Sequence, residues 1–230
     1  MGLQRIDRGS LESSDDLATL LQVMDTFAKH RSPQIMVVGL VVVGALRLAV
    51  GGGFGWADVT VLAITLVFTG VVEWVLHLFL LHAPEDSARM KKLNTGAGHR
   101  EHHLDPSNVG WLMLGWVEVV VFQLMLAVWN LTWPLALAFA FGAPLLGTYL
   151  SALFLAYVML AHYEWTHLLV HTRYRPKTRY YRRLAKNHRL HHYRNEHHWL
   201  GVTSNVGDRL LRTLPASKSD VPLSDTARTL

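Results

Sequence analysis

The sequence contains no cysteine, which excludes disulfides, thiolate nucleophiles and sites where cysteine binds zinc or an iron–sulfur cluster. Its first 30 residues lack an apolar core and a small-residue cleavage site, so they predict no cleaved signal peptide. Lysine and arginine are missing from two short segments, GGGFGWAD and NLTWP. Charged residues supply only 17% of the 230 residues and hydrophobic residues 50%, an apolar share that is high for a soluble domain.

Four long hydrophobic runs account for this composition. They cover residues 34–50, 59–81, 109–129 and 135–160. One domain of this size has no room to bury all four in a core, and the last three are long enough to cross a bilayer. We therefore expect an all-α integral membrane protein with about four transmembrane helices and a cytoplasmic helical cap. Arg47, near the end of the first run, is expected to reach the membrane interface.

The basic residues predict the topology. Of the 22 lysines and arginines, only Arg47 lies inside a hydrophobic run. By the positive-inside rule, the N-terminal segment, the loop 82–108 and the chain after residue 160 face the cytoplasm, as do both termini. The expected organisation is an interfacial segment at 1–32, a membrane domain at 33–214 and a flexible tail at 215–230, most simply in a bacterial plasma membrane. A capped amphipathic helix is expected over residues 13–30.

Ten of the 14 histidines fall into four short boxes. The boxes are His77 and His82; His99, His102 and His103; His167 and His171; and His188, His191 and His192. Residues three and four apart share a helical face, so the last three boxes can each present imidazoles in one direction. The pair in the first box is about 140° apart on an α-helix. It needs the helix to end between its members, or two metal ions on two sides.

Ten imidazoles at one membrane face predict metal binding. A zinc site uses about four ligands, so ten suit two ions with five ligands each, or four plus solvent. Neutral imidazole suits iron, copper, nickel and zinc alike. His162, His197 and His198 lie outside the repeated spacings, and the last two are interpreted as solvated residues or as support for the ligands. His30 carries no pattern.

Two glutamates lie on the helical faces of predicted ligands. Glu73 precedes His77 by four residues, and Glu164 precedes His167 by three. A carboxylate in an apolar helix is costly, and holding the second nitrogen of a ligand imidazole would explain it. Pairing with a nearby arginine is the alternative. Glu118, in the third run, has no such neighbour and is assigned no role.

Four segments resemble the successive boxes of the sterol desaturase/fatty acid hydroxylase superfamily, and most closely those of its fatty acid 2-hydroxylase branch. They are EWVLHLFLLH, GHREHHLDP, YEWTHLLVH and KNHRLHHYRNEHHWLGVTSNVGDRLLRT. The resemblance covers residues 65–214 and includes GVTS and Asp208. It implies a di-iron, O2-dependent membrane monooxygenase that hydroxylates a long acyl chain beside the carboxyl group, with the ten box histidines as ligands. The chain departs from the family at Leu78, where relatives often carry arginine, and in the loop after the second box.

The implied chemistry needs two iron ions and O2, because no side chain supplies the oxidant that attacks an unactivated C–H bond. Zinc is redox-silent, so zinc in purified protein would be a substitute. Arg100, Tyr163 and Arg189 are candidates for holding the substrate's head group. A carotenoid or sterol hydroxylase or desaturase of the same superfamily is one alternative. A histidine-rich membrane metal carrier is the other, although carriers bind near the bilayer midplane and these boxes gather at one face.

The short segment before the first run is too small for a haem domain, so electrons are expected from a separate carrier of ferredoxin or cytochrome type. An acidic carrier would dock on a basic surface formed by Arg173, Arg175, Lys177, Arg179, Arg182 and Arg183. Opposite charge steers such encounters. Binding of anionic lipid is the alternative role for these residues, and nucleic acid is not expected as a partner.

Overall fold

The structure, a computed structural model, describes residues 13–50, 53–83 and 95–224. Within these ranges the regular elements are helices, and none is a strand. The α-helices are α1 Leu20–Lys29, α2 Arg31–Ala49, α3 Trp56–Leu76, α4 Thr95–Leu104, α5 Val109–Leu112, α6 Trp116–Trp129, α7 Trp133–Ala140, α8 Leu145–His171, α9 Arg179–Tyr193 and α10 Val206–Leu210. A π-helical turn, His77–Leu81, continues α3, and 3₁₀ turns cover Ser14–Asp16 and Lys218–Asp220.

Four helical stretches are long and apolar enough to cross a membrane. They are Arg31–Ala49, Trp56–Leu81, Val109–Ala140 and Leu145–His171. The prediction of an all-α integral membrane protein with four spans is confirmed. The third and fourth boundaries differ from the predicted runs, because residues 135–140 belong to α7 and the fourth span begins only at Leu145.

The third hydrophobic run is divided between α5 and α6. Glu118, in the first turn of α6, accepts a hydrogen bond from the Gly115 N–H at 2.7 Å. The carboxylate satisfies an N–H group that the start of a helix leaves without a partner, and it lies at the positive end of the helix dipole. Glu118 therefore caps a helix, a role that its place inside an apolar run did not indicate.

The helix predicted over residues 13–30 is wrong as a single element. Ser13 caps the 3₁₀ turn Ser14–Asp16, and α1 begins only at Leu20. The side chain of Gln22 accepts hydrogen bonds from the N–H groups of the two residues before α1. These bonds stabilise a second helix start at that point.

The described residues divide into two compact units. The first contains residues 13–27, 70–83, 95–114 and 163–224, and the second contains residues 28–50, 53–69 and 115–162. The apolar core of the first unit includes Leu17, Val23, Val109, Leu112, Met113, Leu168 and Leu169. This core fixes the C-terminal part of α8, which carries the third histidine box.

Close contact between α3 and α10 in the first unit depends on glycine. A Cβ on Gly207 would lie 2.5 Å from the Gly70 carbonyl oxygen and 2.5 Å from Trp74 Cβ. Nonbonded atoms do not approach so closely, so a side chain at position 207 would push the two helices apart. The close contact places Asp208 beside the backbone at Leu200, 2.9 Å from its N–H.

The tail predicted over residues 215–230 is described as far as Ser224. The N–H of Ser224 donates to the Arg194 carbonyl at 2.8 Å, and Val221 is 2% exposed. Val221 and Ser224 thus contact the rest of the chain, whereas residues 216–220 are exposed, and the flexibility of the tail stays a prediction. Residues 225–230 lie outside the described residues.

The second unit buries an ion pair. Arg47 is 8% exposed, and its Nη2 lies 3.3 Å from Asp58 Oδ1. Its Nε donates to Ser151 Oγ at 2.8 Å, and that hydroxyl donates to the same carboxylate oxygen at 2.6 Å. A buried carboxylate therefore compensates the charge of Arg47 within the protein, and the position of Arg47 at the membrane interface stays a prediction.

Candidate metal centre

The structure gathers the ten box histidines into two groups of five in the first unit. Within each group, one ring nitrogen per residue lies within 4.8 Å of all the others. Group A contains His77, His82, His99, His103 and His191, and group B contains His102, His167, His171, His188 and His192. Each group thus offers five imidazoles that could hold a metal ion, and the number of ions bound stays a prediction.

A π-helical turn brings both members of the first box into group A. The N–H of His82 donates to the carbonyl of His77, five residues earlier, at 3.0 Å. This i→i+5 bond defines a π turn, which widens the helix by one residue and is often found at functional sites. The π turn therefore places both histidines in one group. The helix does not end between them, and they do not lie on two sides of it, as the sequence had suggested.

The second box serves both groups. His99 and His103, four residues apart on α4, belong to group A, whereas His102 belongs to group B. Successive residues on an α-helix lie about 100° apart, so a helix between two groups can supply both. The fourth box, on α9, divides in the same way. The expectation that these boxes each point in one direction is wrong.

Backbone carbonyls fix the tautomer of three imidazoles. The pairs are His77 Nδ1 and the Leu200 oxygen at 2.6 Å, His191 Nδ1 and the His198 oxygen at 3.0 Å, and His167 Nδ1 and the Leu112 oxygen at 3.1 Å. A carbonyl only accepts hydrogen bonds, so Nδ1 carries the proton in each imidazole. Nε2 then keeps its lone pair and is free to bind a metal ion.

Within both groups, ring nitrogens face one another at short distance. His77 Nε2 lies 3.1 Å from His99 Nε2, and His188 Nε2 lies 2.8 Å from His171 Nε2. Among the described residues, neither ring nitrogen of the buried His102 has a hydrogen-bond partner. Where neither facing nitrogen carries a proton, their lone pairs repel, and a cation between them removes the repulsion. Both donor sets therefore fit metal ions.

Burial keeps the box histidines in the metal-binding form. Desolvation, followed by repulsion between neighbouring imidazoles, holds the pKa of six of them well below the usual range. These six are His82, His99, His102, His188, His191 and His192. Metal ions bind the neutral imidazole, so the groups are prepared for metal at neutral pH.

Glu73 contacts a backbone segment near His77 and does not contact the imidazole as predicted. It accepts hydrogen bonds from the N–H groups of Val202 and Thr203 and from the Thr203 hydroxyl. The carbonyl that meets His77 belongs to Leu200, in the same segment. The prediction that Glu73 holds the imidazole directly is wrong, because a backbone strip lies along this face of the helix and meets both side chains.

Glu164 has a similar arrangement. Its Oε1 accepts the Leu114 N–H at 3.0 Å, and the Leu112 carbonyl meets His167. Here too a glutamate one helical turn before a box histidine holds the backbone whose carbonyl orients that histidine. The predicted direct contact is replaced by a contact through the main chain.

Asp208 and Tyr180 complete the hold on the segment that orients His77. Asp208 accepts the N–H of Leu200 at 2.9 Å and the N–H of Gly201 at 2.8 Å. The hydroxyl of Tyr180 donates to the carbonyl of the adjacent Thr203 segment at 2.5 Å. Burial raises the pKa of Tyr180 to about 12, so the hydroxyl stays a donor. Asp208 was marked in the sequence only by the resemblance, and no pattern marked Tyr180.

The other histidines lie outside both groups. His197 is exposed, and His198 contributes its backbone carbonyl to the orientation of His191. His30 caps α2 by accepting a hydrogen bond from the chain two residues later. His162 is half-buried on α8, in the second unit.

Of the three candidates for the head-group site, Tyr163 has a described contact with a box histidine. Its ring stacks on His167, with centroids 5.6 Å apart and an interplanar angle of 25°. Arg100 is half-buried on α4, next to His99. Arg189 is exposed and lines a basic groove instead.

This groove has a volume of about 830 Å³. Its basic lining residues are Arg173, Arg175, Arg182, Lys186, Arg189, Arg194 and Lys218, and none of the described residues that line it is acidic. All six residues of the predicted basic surface are exposed, and three of them line the groove. The sequence has no aspartate or glutamate between residues 165 and 195, so the positive charge is concentrated here.

Comparison with known proteins agrees with the geometry. The model of the family described as fatty acid hydroxylase matches residues 61–213, a stretch that holds all four boxes. The dihydroceramide fatty acyl 2-hydroxylase FAH2 of Arabidopsis thaliana is 30% identical over 149 residues, which are 65% of this chain and 58% of that protein. The chain thus spans little more than half the length of this curated relative.

A solved structure shares the fold. It is described as full-length scs7p with only the hydroxylase domain visible, and the two chains superpose with a TM-score of 0.62 at 23% identity. The match covers 84% of this chain and 68% of the other. At this identity the likeness supports the helical fold alone.

Proposed function

The chain belongs to the fatty acid hydroxylase family, and on that premise we propose that it is a di-iron, O2-dependent monooxygenase that hydroxylates the second carbon of a long acyl chain. The observation that carries the proposal is the pair of five-imidazole groups in one compact unit. The relative in A. thaliana is a fatty acyl 2-hydroxylase by name, which supports attack beside the carboxyl group.

Each group is proposed to hold one iron ion through its five imidazoles. Bound iron would supply the O2 activation and the redox change that side chains lack. Zinc fits the same ligands but is redox-silent, so a zinc-loaded preparation should be inactive. The protein's own part is to present neutral imidazoles from a buried, water-poor site, with the outer nitrogens of three held by carbonyls.

Substrate orientation is proposed to involve Tyr163. Attack on the second carbon requires the polar head of the substrate to lie near the metal and its tail to extend into the apolar phase. Tyr163 stacks on His167, and a tyrosine hydroxyl can donate to a carbonyl or carboxylate. Arg100 is the second candidate, and Arg189 the third because it lies in the outer groove.

Both termini are proposed to face the cytoplasm of a bacterial-type plasma membrane. The basic residues gather in the terminal regions and in the loop 82–108, and the two loops GGGFGWAD and NLTWP lack them. Because the chain has no cysteine, single cysteines can be placed without background. Phe54→Cys and Leu131→Cys should react with an impermeant thiol reagent in intact cells, and Ser219→Cys should not. The reverse pattern would contradict this topology.

Reduction is proposed to come from a separate acidic electron carrier of ferredoxin or cytochrome type. The support is the basic surface with its groove of about 830 Å³, which has no acidic residue among the described residues that line it. Charge of one sign raises the encounter rate with a partner of the opposite sign. Anionic lipid is the competing occupant of this surface.

Lipid mass spectrometry tests the proposed reaction. Cells that express the native chain should gain acyl chains with one oxygen at the second carbon, and cells that express His167→Ala should not. His197→Ala is the matched control, because His197 is exposed and lies outside both groups. Oxygen deep in the acyl chain, or on a carotenoid or sterol, would reject 2-hydroxylation.

A further inference from the structure

One peptide group lies between a buried carboxylate and a box histidine. Asp208 is fully buried, and its Oδ2 accepts the Gly201 N–H at 2.8 Å. The carbonyl of the same peptide, that of Leu200, lies 2.6 Å from His77 Nδ1. The carboxylate and the imidazole therefore contact opposite ends of a single amide.

The local backbone is shaped for this contact. A Cβ on Gly201 would lie 1.8 Å from the Ser204 carbonyl oxygen and 2.9 Å from Asp208 Oδ2, so a side chain at this position would displace both the following backbone and the carboxylate. Trp199, just before the peptide, has a φ of 54°, which is unusual for a bulky residue. Its N–H donates to the Thr213 carbonyl at 3.0 Å, and the Thr213 hydroxyl donates to Asp208 at 2.6 Å. Several contacts thus hold an unfavourable backbone in place.

The carboxylate distinguishes His77 from the other two imidazoles that meet a carbonyl. His167 meets the Leu112 carbonyl, and the N–H of the same peptide group, that of Met113, donates to the Val109 carbonyl at 3.1 Å. His191 meets the His198 carbonyl, and the N–H of that peptide group, that of Trp199, donates to the Thr213 carbonyl. Both of these acceptors are neutral. Only the peptide at His77 has an anionic acceptor, and bonds to anionic acceptors are roughly twice as strong as neutral ones.

We propose that Asp208 is a positioning residue for His77 that acts through the Leu200–Gly201 peptide. An anion at the N–H end polarises the amide and makes its carbonyl a better acceptor. The Nδ1–H of His77 is then held more firmly, which fixes the ring and raises the basicity of Nε2 toward the metal. This inference rests on the proposed binding of one iron ion by each group.

Asp208→Asn tests it, because asparagine has one acceptor oxygen for two N–H groups and no charge. In iron-loaded protein challenged with a chelator, group A should lose iron about tenfold faster, the lower end of the range for residues behind a ligand. Group B should lose iron at the native rate. Mössbauer spectra, recorded before the challenge, should show a change confined to one of two iron environments.

Asp220→Asn is the matched control. Asp220 is exposed, lies in the same C-terminal region and contacts Ser217 and Ser219 only through local hydrogen bonds. It should leave both rates and both spectra unchanged. Native protein with fewer than two irons would reject the two-iron proposal itself. Two irons in native protein, with equal acceleration at both groups in Asp208→Asn, would show a general structural role and overturn the inference.

A measurement on the native chain covers the case in which Asp208→Asn does not fold. Coupling between two sites is reciprocal, so iron binding to group A should in turn strengthen the Leu200–Gly201 peptide. Removing iron should therefore speed hydrogen exchange in the segment Leu200–Gly201, whose N–H groups donate to Asp208, more than at Met113 in the segment that meets His167, whose N–H donates to a neutral carbonyl. Equal changes in the two segments would contradict the proposal.

Discussion

Two buried polar clusters in this chain differ in one respect. In the second unit, Arg47, Asp58 and Ser151 satisfy one another, with a charge of each sign and a hydroxyl that both donates and accepts. In the first unit, ten imidazoles are brought together, and their nitrogens face one another at about 3 Å. The groups of the first cluster complement one another in charge and hydrogen bonding, whereas the second cluster repeats a single chemical group.

The difference separates a structural cluster from a binding site. Buried polar groups that complete one another need no further partner. Buried imidazole nitrogens that face one another without a proton between them cost free energy until a cation joins them. The first three of the following predictions perturb one of these clusters, and the last perturbs the exposed basic surface.

The largest effect is expected from Asp58→Ala. It leaves the Arg47 charge buried without its carboxylate and should destabilise the protein by about 3–5 kcal/mol. Unfolding in detergent solution, followed by circular dichroism, measures the loss. Adding Arg47→Met should recover much of it, because no unpaired charge then remains. If Asp58→Ala is as stable as the native protein, the ion pair does not have the structural role assigned to it.

His188→Ala should impair activity and leave membrane insertion intact. Removing a residue behind a ligand costs about 10–100-fold in activity, so removing a ligand should lower hydroxylation by at least about 100-fold. Membrane insertion should not change, because it depends on the apolar spans. Product formation, iron content and membrane fractionation are measured together. Retention of full activity and two irons would remove His188 from the ligand set.

Acid should affect the histidine groups selectively. Their pKa values are lower in the folded chain than the usual value of about 6.5, so the unfolded chain binds more protons below that pH. Stability of metal-free protein should therefore fall as the pH drops below about 6.5, by about 1.4 kcal/mol per pH unit for each such histidine. Thermal unfolding across pH 7 to 5 measures this. Bound iron should shift the onset to lower pH.

The smallest effect is expected at the basic surface. Arg182→Ser with Arg183→Ser should slow electron delivery a few-fold at low salt, and the difference should vanish at high salt because ions screen exposed charges. Turnover with a reconstituted acidic carrier, recorded at low and at high salt, measures the slowing and its salt dependence. Lys29→Ser, an exposed lysine elsewhere, is the control. Equal slowing at all salt concentrations would argue against charge steering.

Composition and spacing predicted the features that depend on one kind of residue. Run length predicted four spans, and the repeated spacings identified the same ten histidines that the structure gathers. A span needs only apolar length, and a shared helical face needs only periodicity.

The remaining features depend on contacts between distant segments. Nothing local indicates that Arg47 will meet Asp58 and Ser151, so free access to the interface was the expected state. Likewise, the contact of Glu73 with residues 202–203 is set by how a later segment packs beside α3. The direct pairing with His77 followed from helical spacing alone, which carries no information about a strip of main chain in between.

The five-residue spacing of the first box makes the path of the following chain sensitive to a deletion between its two histidines. The π turn at His77–Leu81 holds one residue more than an α-helical path would need. Deleting one residue between the two histidines would leave them four apart, on one face of an ordinary α-helix. Everything after them would then be rotated by about 100° and drawn back by about 1.5 Å. The π turn therefore sets the direction and the position in which the chain leaves the first box.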